Sequence, residues 1–192
     1  MPKYLTPASI ALLVLGVMTL PLPYFSFINL WIYVILSIPY ILFTIYLDIT
    51  GKVQNEKLKA YCGYYGLLLI CIYFGMPAIK QFHDQPIFQL SMIMVWVFIF
   101  AISGKFKDTL IKITLPSGED NKYKIYSGLY YGFIVLVVLA GGGGHYKGAE
   151  YFSRIFGHKA TMYYFTILLL LCAYWFTIFT QSITTRFKEF KK

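Results

Sequence analysis

Three side chains around residue 150 are of the types that could do chemistry. His145, Glu150 and His158 lie in a glycine-rich segment, at separations of five and eight residues. Two neutral imidazoles and a carboxylate can bind zinc, and they can also exchange protons with a substrate. Their spacing matches no zinc signature such as H-E-x-x-H, so they are candidates for a metal or acid–base site and no more. The turn with His83 and Asp84 could supply further ligands.

The same segment also has the pattern of an amphipathic helix. Glu150, Arg154 and His158 recur every four residues, so they share one face of a helix over residues 149–159. Apolar side chains fall largely on the other face, namely Tyr151, Phe152, Ile155 and Phe156. A helix of this kind lies flat on a membrane surface, with its polar face in water. We favour this interpretation over the metal site.

The long apolar segments of the chain hold few groups that could act in catalysis. No Asp, Glu, Lys, Arg or His falls near the centre of any of them. Proton-coupled transporters and intramembrane enzymes usually need such a group, which is costly in lipid. The polar residues that these segments do contain are suited to hydrogen bonds between helices, and they are Ser37, Thr44, Ser91, Thr166, Thr177 and Gln181. The sequence thus predicts no catalytic residue and no cofactor, and it favours a protein that is not an enzyme.

The composition indicates that lipid is the solvent of this chain. It has 192 residues, of which 58% are hydrophobic, 20% aromatic and only 13% charged. Soluble domains are about 45–50% apolar and about 25% charged. The net charge of +9 could suggest a nucleic-acid partner, but the charges gather in short loops between apolar segments. We therefore exclude nucleic acid and name the lipid bilayer as the partner.

The apolar segments predict an all-α, polytopic membrane protein with a single integral domain over residues 1–192. Six transmembrane helices are expected, at about 6–22, 28–47, 60–79, 87–104, 125–142 and 160–183. Short polar connections join them in pairs, which predicts three helical hairpins. Similar residues open spans 3 and 5 and close spans 4 and 6, so the hairpins could be an internal repeat.

The longest polar connection, residues 104–124, allows two structures. Residues 111–115 and 122–126 alternate in polarity around a turn-rich hexapeptide, which predicts a small β-hairpin between helices 4 and 5. Alternatively, span 4 continues as an amphipathic helix through Phe106, Leu110 and Ile113. The sequence does not separate the two.

The basic residues predict an orientation. Thirteen of the seventeen Lys and Arg residues fall on the side that holds both termini, and four fall on the other. The positive-inside rule then places both termini in the cytoplasm and the protein in the cell membrane. Four residues of the basic tail could contact anionic lipid headgroups on that side, namely Arg186, Lys188, Lys191 and Lys192.

Gly128 and Gly132 form a G-x-x-x-G motif in the fifth span. Two small residues one turn apart let another helix approach closely. The partner helix could belong to this chain or to another one, so a homo- or hetero-oligomer is a possible outcome. The motif predicts packing without choosing between these partners.

Three hypotheses for function follow from the sequence. The favoured one is a small multi-pass membrane protein without a catalytic site, acting as an accessory or protective component or binding lipid or another apolar ligand. The second is a transporter or channel subunit built from the repeated hairpins. The third is a membrane enzyme that uses His145, Glu150 and His158 outside the cytoplasm.

Overall fold

The computed structural model describes residues 7–52, 55–115, 121–141 and 146–185. Its regular structure is helical, and no strand occurs within those four ranges. In these ranges, five helices are long and apolar enough to cross a membrane, which suggests a membrane-embedded protein. The predicted all-α class is therefore confirmed.

Seven helices make up the described part of the chain. They are α1 (Pro7–Thr19), α2 (Phe27–Ile49), α3 (Glu56–Gln81), α4 (Pro86–Lys105), α5 (Lys107–Thr114), α6 (Asn121–Ala140) and α7 (Tyr146–Ile183). Five of them, α2, α3, α4, α6 and α7, contain the candidate spans. The prediction of six membrane helices is not confirmed, because α1 is short and α5 was not expected as a separate helix.

Over its described residues, the first helix is too short to cross a bilayer as a straight rod. Its 13 residues extend about 20 Å at 1.5 Å per residue, whereas the hydrocarbon core is about 30 Å thick. The predicted span 6–22 included Leu20 to Leu22, but the helix ends at Thr19 because Pro21 and Pro23 follow. Hydrogen bonds from Leu20 N to Val17 O and from Leu22 N to Thr19 O continue it as a tight turn.

The β-hairpin prediction is wrong for both of its strands. Residues 111–114 belong to α5, and residues 122–126 belong to α6. Packing decides the outcome, because the buried Thr114 hydroxyl lies 2.9 Å from the Ser182 hydroxyl of α7 and 3.0 Å from the Leu110 carbonyl oxygen of its own helix. The alternative prediction, in which span 4 continues as an amphipathic helix, is closer to the structure. The chain is helical on both sides of Phe106, but α4 ends before this residue and α5 begins after it. Residues 116–120 lie outside the described residues.

The centre of the fold is α3, which packs most extensively against α7. Small residues allow the close approach, since a Cβ atom placed on Gly75 would lie 3.9 Å from the Ala173 Cβ. The two helices are antiparallel: Gln181 of α7 donates a hydrogen bond to the hydroxyl of Tyr64, near the start of α3, at 3.2 Å. At the other end, the rings of Phe82 and Tyr163 lie 5.4 Å apart.

Helices α1 and α2 also pack against α3. The first runs parallel to it, because Leu12 lies against Gly66 and the Leu20 carbonyl lies at Lys80. A tyrosine cluster fills this part of the bundle, with the rings of Tyr33 and Tyr73 5.2 Å apart.

The three predicted hairpins are not confirmed as packing units. The chain does reverse direction between successive long helices, and the backbones of the third pair, α6 and α7, approach each other. Among the described residues, however, the most extensive approach is between α3 and α7, and α1 and α2 each approach α3 at more places than they approach each other. Bulky side chains lie between the backbones of the first pair, since Tyr33 and Tyr40 donate or share hydroxyl hydrogen bonds with α1 and the Tyr33 ring lies against Gly16. The internal repeat stays a prediction.

The bundle has two ends. We refer to the end with residues 20–26 and 82–85 as the Lys80 end, and to the end with α5 and the C-terminal turn of α7 as the α5 end. At the Lys80 end, α7 bends at Gly157, whose φ of 79° lies in the left-handed region that glycine tolerates. The bend separates residues 146–156 from the long apolar part of α7, close to where the sequence predicted a surface helix followed by a span.

Candidate functional site

The sequence candidates for a metal site are not brought together among the described residues. Glu150 forms a salt bridge with Arg154, on the surface of the molecule. His158 is exposed. His145 lies outside the described residues, and the part of the chain that the structure describes has no group of three His, Cys, Asp or Glu side chains that could hold a metal ion. The metal and acid–base hypothesis stays a prediction.

The two further candidate ligands form a pair with each other. His83 Nε2 lies 2.9 Å from Asp84 Oδ1, and both side chains are largely exposed. The His83 ring also meets the ring of Tyr24 edge to face, at 5.7 Å between centroids. This pair therefore belongs to the surface of the Lys80 end, beside the turn that follows α1.

A buried lysine lies directly beneath that surface. Lys80 is only 6% exposed. Its Nζ donates hydrogen bonds to the carbonyl oxygens of Leu20 at 2.7 Å and Tyr24 at 2.9 Å. It also lies 5.6 Å from the centre of the Tyr24 ring, and the Tyr24 hydroxyl donates back to the Lys80 carbonyl at 3.1 Å. No carboxylate of the described residues forms an ion pair with Lys80.

The position of Lys80 follows from the ends of two helices. The last carbonyls of α1 and of the turn after it have no partner within a helix, and a cation near a helix C-terminus is favourable. Lys80 lies in the last turn of α3, which runs parallel to α1. Burying a charge requires hydrogen bonds that replace water, and the two carbonyls provide them.

An apolar cleft of about 390 Å³ lies next to this turn. It is lined by Leu22, Ser153, His158, Thr161, Met162, Phe165 and Leu169. The first of these comes from the turn after α1, and the other six come from both sides of the bend in α7. The cleft therefore exists because two separate parts of the chain meet at the Lys80 end.

The bend in α7 shapes the cleft. Phe152 and Tyr164 are twelve residues apart, which is about 18 Å along a straight helix. Their rings nevertheless stack at 5.0 Å, and Phe152 also meets Phe165 at 6.1 Å. The segment before Gly157 must therefore turn sharply toward the segment after it, which brings Ser153 and Thr161 to the same cleft.

The polar groups of the cleft do not form a catalytic arrangement. The Thr161 hydroxyl donates to the Gly157 carbonyl at 2.8 Å, so it satisfies the backbone at the bend. Ser153 and His158 both line the cleft, but no hydrogen bond joins them. A serine nucleophile needs a base within hydrogen-bond reach. The arrangement is suited to holding an apolar molecule with a small polar edge.

The polar residues of the spans have mixed roles. Three of them bond between helices as expected: Ser37 with Tyr73 at 2.7 Å, Thr177 with Trp96 at 2.7 Å, and Gln181 with Tyr64 at 3.2 Å. The other three differ from the prediction, because Thr44, Ser91 and Thr166 donate to carbonyls of their own helices. Their hydroxyls satisfy local backbone groups and do not join helices.

The predicted packing glycines meet no other helix within the described part of the chain. A Cβ atom at Gly128 or Gly132 would meet nothing within 4 Å among the described residues. Close packing occurs instead at Gly16, where a Cβ would lie 2.3 Å from Tyr33 Cε2, and at Gly66, where it would lie 3.1 Å from Leu12 Cδ1. The four tail residues predicted to contact lipid headgroups, Arg186, Lys188, Lys191 and Lys192, lie outside the described residues.

The comparisons with known proteins leave the cleft to be interpreted from its own geometry. Comparison of the chain with protein-family models, with curated proteins and with solved structures gives no match. The functional argument therefore depends on two features that sequence reasoning missed, the Lys80 contacts and the cleft beside them. One signal was available. Of the four Lys and Arg residues predicted on the side opposite the termini, three lie in the segment 141–159, and Lys80 is the fourth.

Proposed function

We propose that this protein is a non-catalytic, multi-pass membrane protein that binds the apolar chain of a lipid in the cleft at its Lys80 end. The observation that carries the proposal is the cleft itself, with Met162, Phe165 and Leu169 along its α7 side and Leu22 opposite. Its volume of about 390 Å³ falls within the range of about 300–1,000 Å³ that is typical of ligand sites.

The position of the cleft supports a lipid as the ligand. It lies where the long apolar part of α7 begins, and Ile155 and Phe156 beside it are 53% and 61% exposed. Exposed apolar residues at the end of a membrane helix are in contact with lipid. The acyl chain of a lipid in the surrounding bilayer can therefore enter the cleft without crossing water.

The orientation of the protein is part of the proposal. The α5 end would face the cytoplasm and the cleft the opposite side of the cell membrane, because most of the lysines and arginines among the described residues belong to helix ends and connections at the α5 end. The basic tail would then meet anionic headgroups of the cytoplasmic leaflet. The open glycines Gly128 and Gly132 leave space for a helix of a second chain.

Photo-cross-linking in nanodiscs tests the proposal. The purified protein is reconstituted with phosphatidylcholine and a trace of a phospholipid that has a diazirine in its acyl chain, and cross-linked peptides are mapped by mass spectrometry. Preferential cross-links at Met162, Phe165 and Leu169 are expected. Leu169→Trp should reduce cross-linking at Met162 and Phe165 several-fold, because the larger ring fills the cleft.

A second groove provides the matched control. It has about 180 Å³ and is lined by Trp96, Val97 and Phe100 on the exposed side of α4. Val97→Trp should leave the cross-links at the cleft unchanged. Equal cross-linking at both grooves, insensitive to Leu169→Trp, would mean that only the ordinary lipid shell is detected, and the proposal would then fail.

A further inference from the structure

One side of the proposed lipid site depends on a single ammonium group. Of the residues that line the cleft, Leu22 alone comes from the turn after α1. Lys80 Nζ binds the carbonyl oxygen of Leu20, two residues before it, and that of Tyr24, two residues after it. We infer that Lys80 is a positioning residue that holds Leu22 in place as one wall of the lipid-binding cleft, and this inference rests on the proposed function.

The backbone around Leu22 has few other restraints in the described structure. Leu22 N donates to Thr19 O at 3.2 Å, which restrains only the start of the turn. The Tyr24 hydroxyl donates to the Lys80 carbonyl at 3.1 Å, and this bond ties the end of the turn to α3. Among the described residues, the three hydrogen bonds between the turn and α3 therefore all involve Lys80, two through its side chain and one through its main chain.

The opposite wall of the cleft is held independently of Lys80. Its residues lie on α7, which packs along the length of α3. The ring contact between Tyr163 and Phe82, at 5.4 Å, anchors α7 near the cleft, and Thr161 stabilises the bend through the Gly157 carbonyl. Loss of the ammonium group should thus move Leu22 while Ser153 and Phe165 stay in place. The width of the cleft is then set by Lys80.

Cysteine accessibility measures this effect without any ligand. Single cysteines at Leu22 and Ser153 are introduced into a protein whose native Cys62, Cys71 and Cys172 are replaced by Ala, and the reaction with a maleimide is followed in nanodiscs. Lys80→Met should speed the reaction at position 22 by roughly tenfold, because two charge-assisted hydrogen bonds are lost. The reaction at position 153 should change much less, because that residue keeps its place on α7 and only its access through the widened cleft is altered.

Three controls separate displacement of Leu22 from general loosening. Leu69→Cys reports on the core, since Leu69 is fully buried. Lys57→Met removes an exposed lysine from the opposite end of the same helix. Tyr24→Phe keeps the ammonium group and removes only the returning hydroxyl bond, so it should produce a smaller acceleration at position 22.

The outcomes distinguish this inference from the proposed function. An unchanged rate at position 22 in Lys80→Met, or equal acceleration at positions 22 and 69, overturns the positioning role. If Lys80→Met does not fold, Lys80→Gln, which keeps a shorter neutral donor in place of the ammonium group, decides, and no acceleration at position 22 in that variant again overturns it. Acceleration confined to position 22 supports the role of Lys80 even if lipid cross-linking in the cleft is absent, in which case only the lipid proposal fails.

Discussion

The two ends of the helix bundle are held together in opposite ways. At the Lys80 end, one buried ammonium group binds two backbone carbonyls and an open cleft lies beside it. At the α5 end, neutral side chains form several hydrogen bonds, including Thr114 with Ser182 at 2.9 Å and Gln181 with Tyr64 at 3.2 Å. The Tyr131 hydroxyl adds a bond to the Thr114 carbonyl. These bonds connect four helices, α3, α5, α6 and α7.

The difference teaches where the structure tolerates change. Each neutral hydrogen bond at the α5 end contributes about 1 kcal/mol, and the loss of one leaves the others in place. At the Lys80 end, one side chain provides the contacts that hold the turn after α1. One side of an open cleft faces no packed neighbour, so the residue that forms that side must be held by other contacts. For Leu22, the hydrogen bonds from Lys80 to the carbonyls of Leu20 and Tyr24 are such contacts. Under the proposed function, ligand binding belongs to the Lys80 end, which depends on one side chain, whereas several independent hydrogen bonds stabilise the α5 end.

Lys80→Met tests this comparison, and it is expected to cause the largest loss of stability. The substitution keeps most of the side-chain volume but leaves the Leu20 and Tyr24 carbonyls without their donor. We expect a loss of about 3 kcal/mol in the free energy of unfolding, since hydrogen bonds to charged groups contribute about 1.5–3 kcal/mol each. Equilibrium unfolding in sodium dodecyl sulfate, followed by tryptophan fluorescence, measures this loss.

The matched variant at the α5 end is Thr114→Val. It removes the hydroxyl bonds to Leu110 and Ser182, but Ser182 keeps its bond to the Phe179 carbonyl at 2.7 Å. The expected loss is about 1 kcal/mol. Equal losses for Lys80→Met and Thr114→Val would contradict the view that the two ends are built differently.

An effect of about 2 kcal/mol, between those of Lys80→Met and Thr114→Val, is expected from Gly16→Ala. A methyl group there would lie 2.3 Å from Tyr33 Cε2 and 2.8 Å from Tyr73 Cε2, so the half-buried ring of Tyr33 and the buried ring of Tyr73 must move. This variant tests whether the tight packing of α1 against the tyrosines also stabilises the Lys80 end, in addition to the Lys80 hydrogen bonds. The same unfolding measurement applies, and a neutral result would show that the tyrosine cluster adjusts freely.

Gly132→Ala is the control for that prediction. Nothing lies within 4 Å of a Cβ at this position, and alanine favours a helix by up to about 1 kcal/mol over glycine. The substitution should leave the stability of the monomer unchanged or slightly raise it. A clear destabilisation would indicate that another chain packs against Gly132, which is the oligomer that the G-x-x-x-G motif allows.

Sequence reasoning predicted the helices well and their packing poorly, for a physical reason. Long apolar runs must be helical in lipid because every backbone group needs a partner, so α2, α3, α4, α6 and the apolar part of α7 could be placed from hydropathy alone. Packing depends on which side chains meet across helices, which the order of residues does not determine. Gly128 and Gly132 fit a packing motif but lie open, while Gly16 and Gly66 fit none and are packed.

The candidate site shows the same limitation. A lysine at the end of an apolar run is usually solvated, so Lys80, which lies one residue beyond the predicted span 60–79, is expected in water. Its burial follows from the prolines after α1, which end that helix and leave carbonyl acceptors facing α3. Hydropathy cannot reveal this contact, because it joins residues that are 56 to 60 positions apart. The cleft likewise depends on the bend at Gly157, whose φ of 79° is not encoded in any periodic pattern.

The smallest loss of stability is expected for an exposed salt bridge near the Lys80 end. It shows whether a charged group stabilises this end only when the group is buried. Glu150 and Arg154 form a salt bridge, but their side chains are 55% and 76% exposed. Water screens such a pair, so Glu150→Gln should change the free energy of unfolding by about 0.3 kcal/mol or less. The measurement is made beside Lys80→Met under identical conditions. A loss for Glu150→Gln comparable to that of Lys80→Met would mean that charge as such, rather than a buried donor with two carbonyl partners, stabilises this end of the molecule.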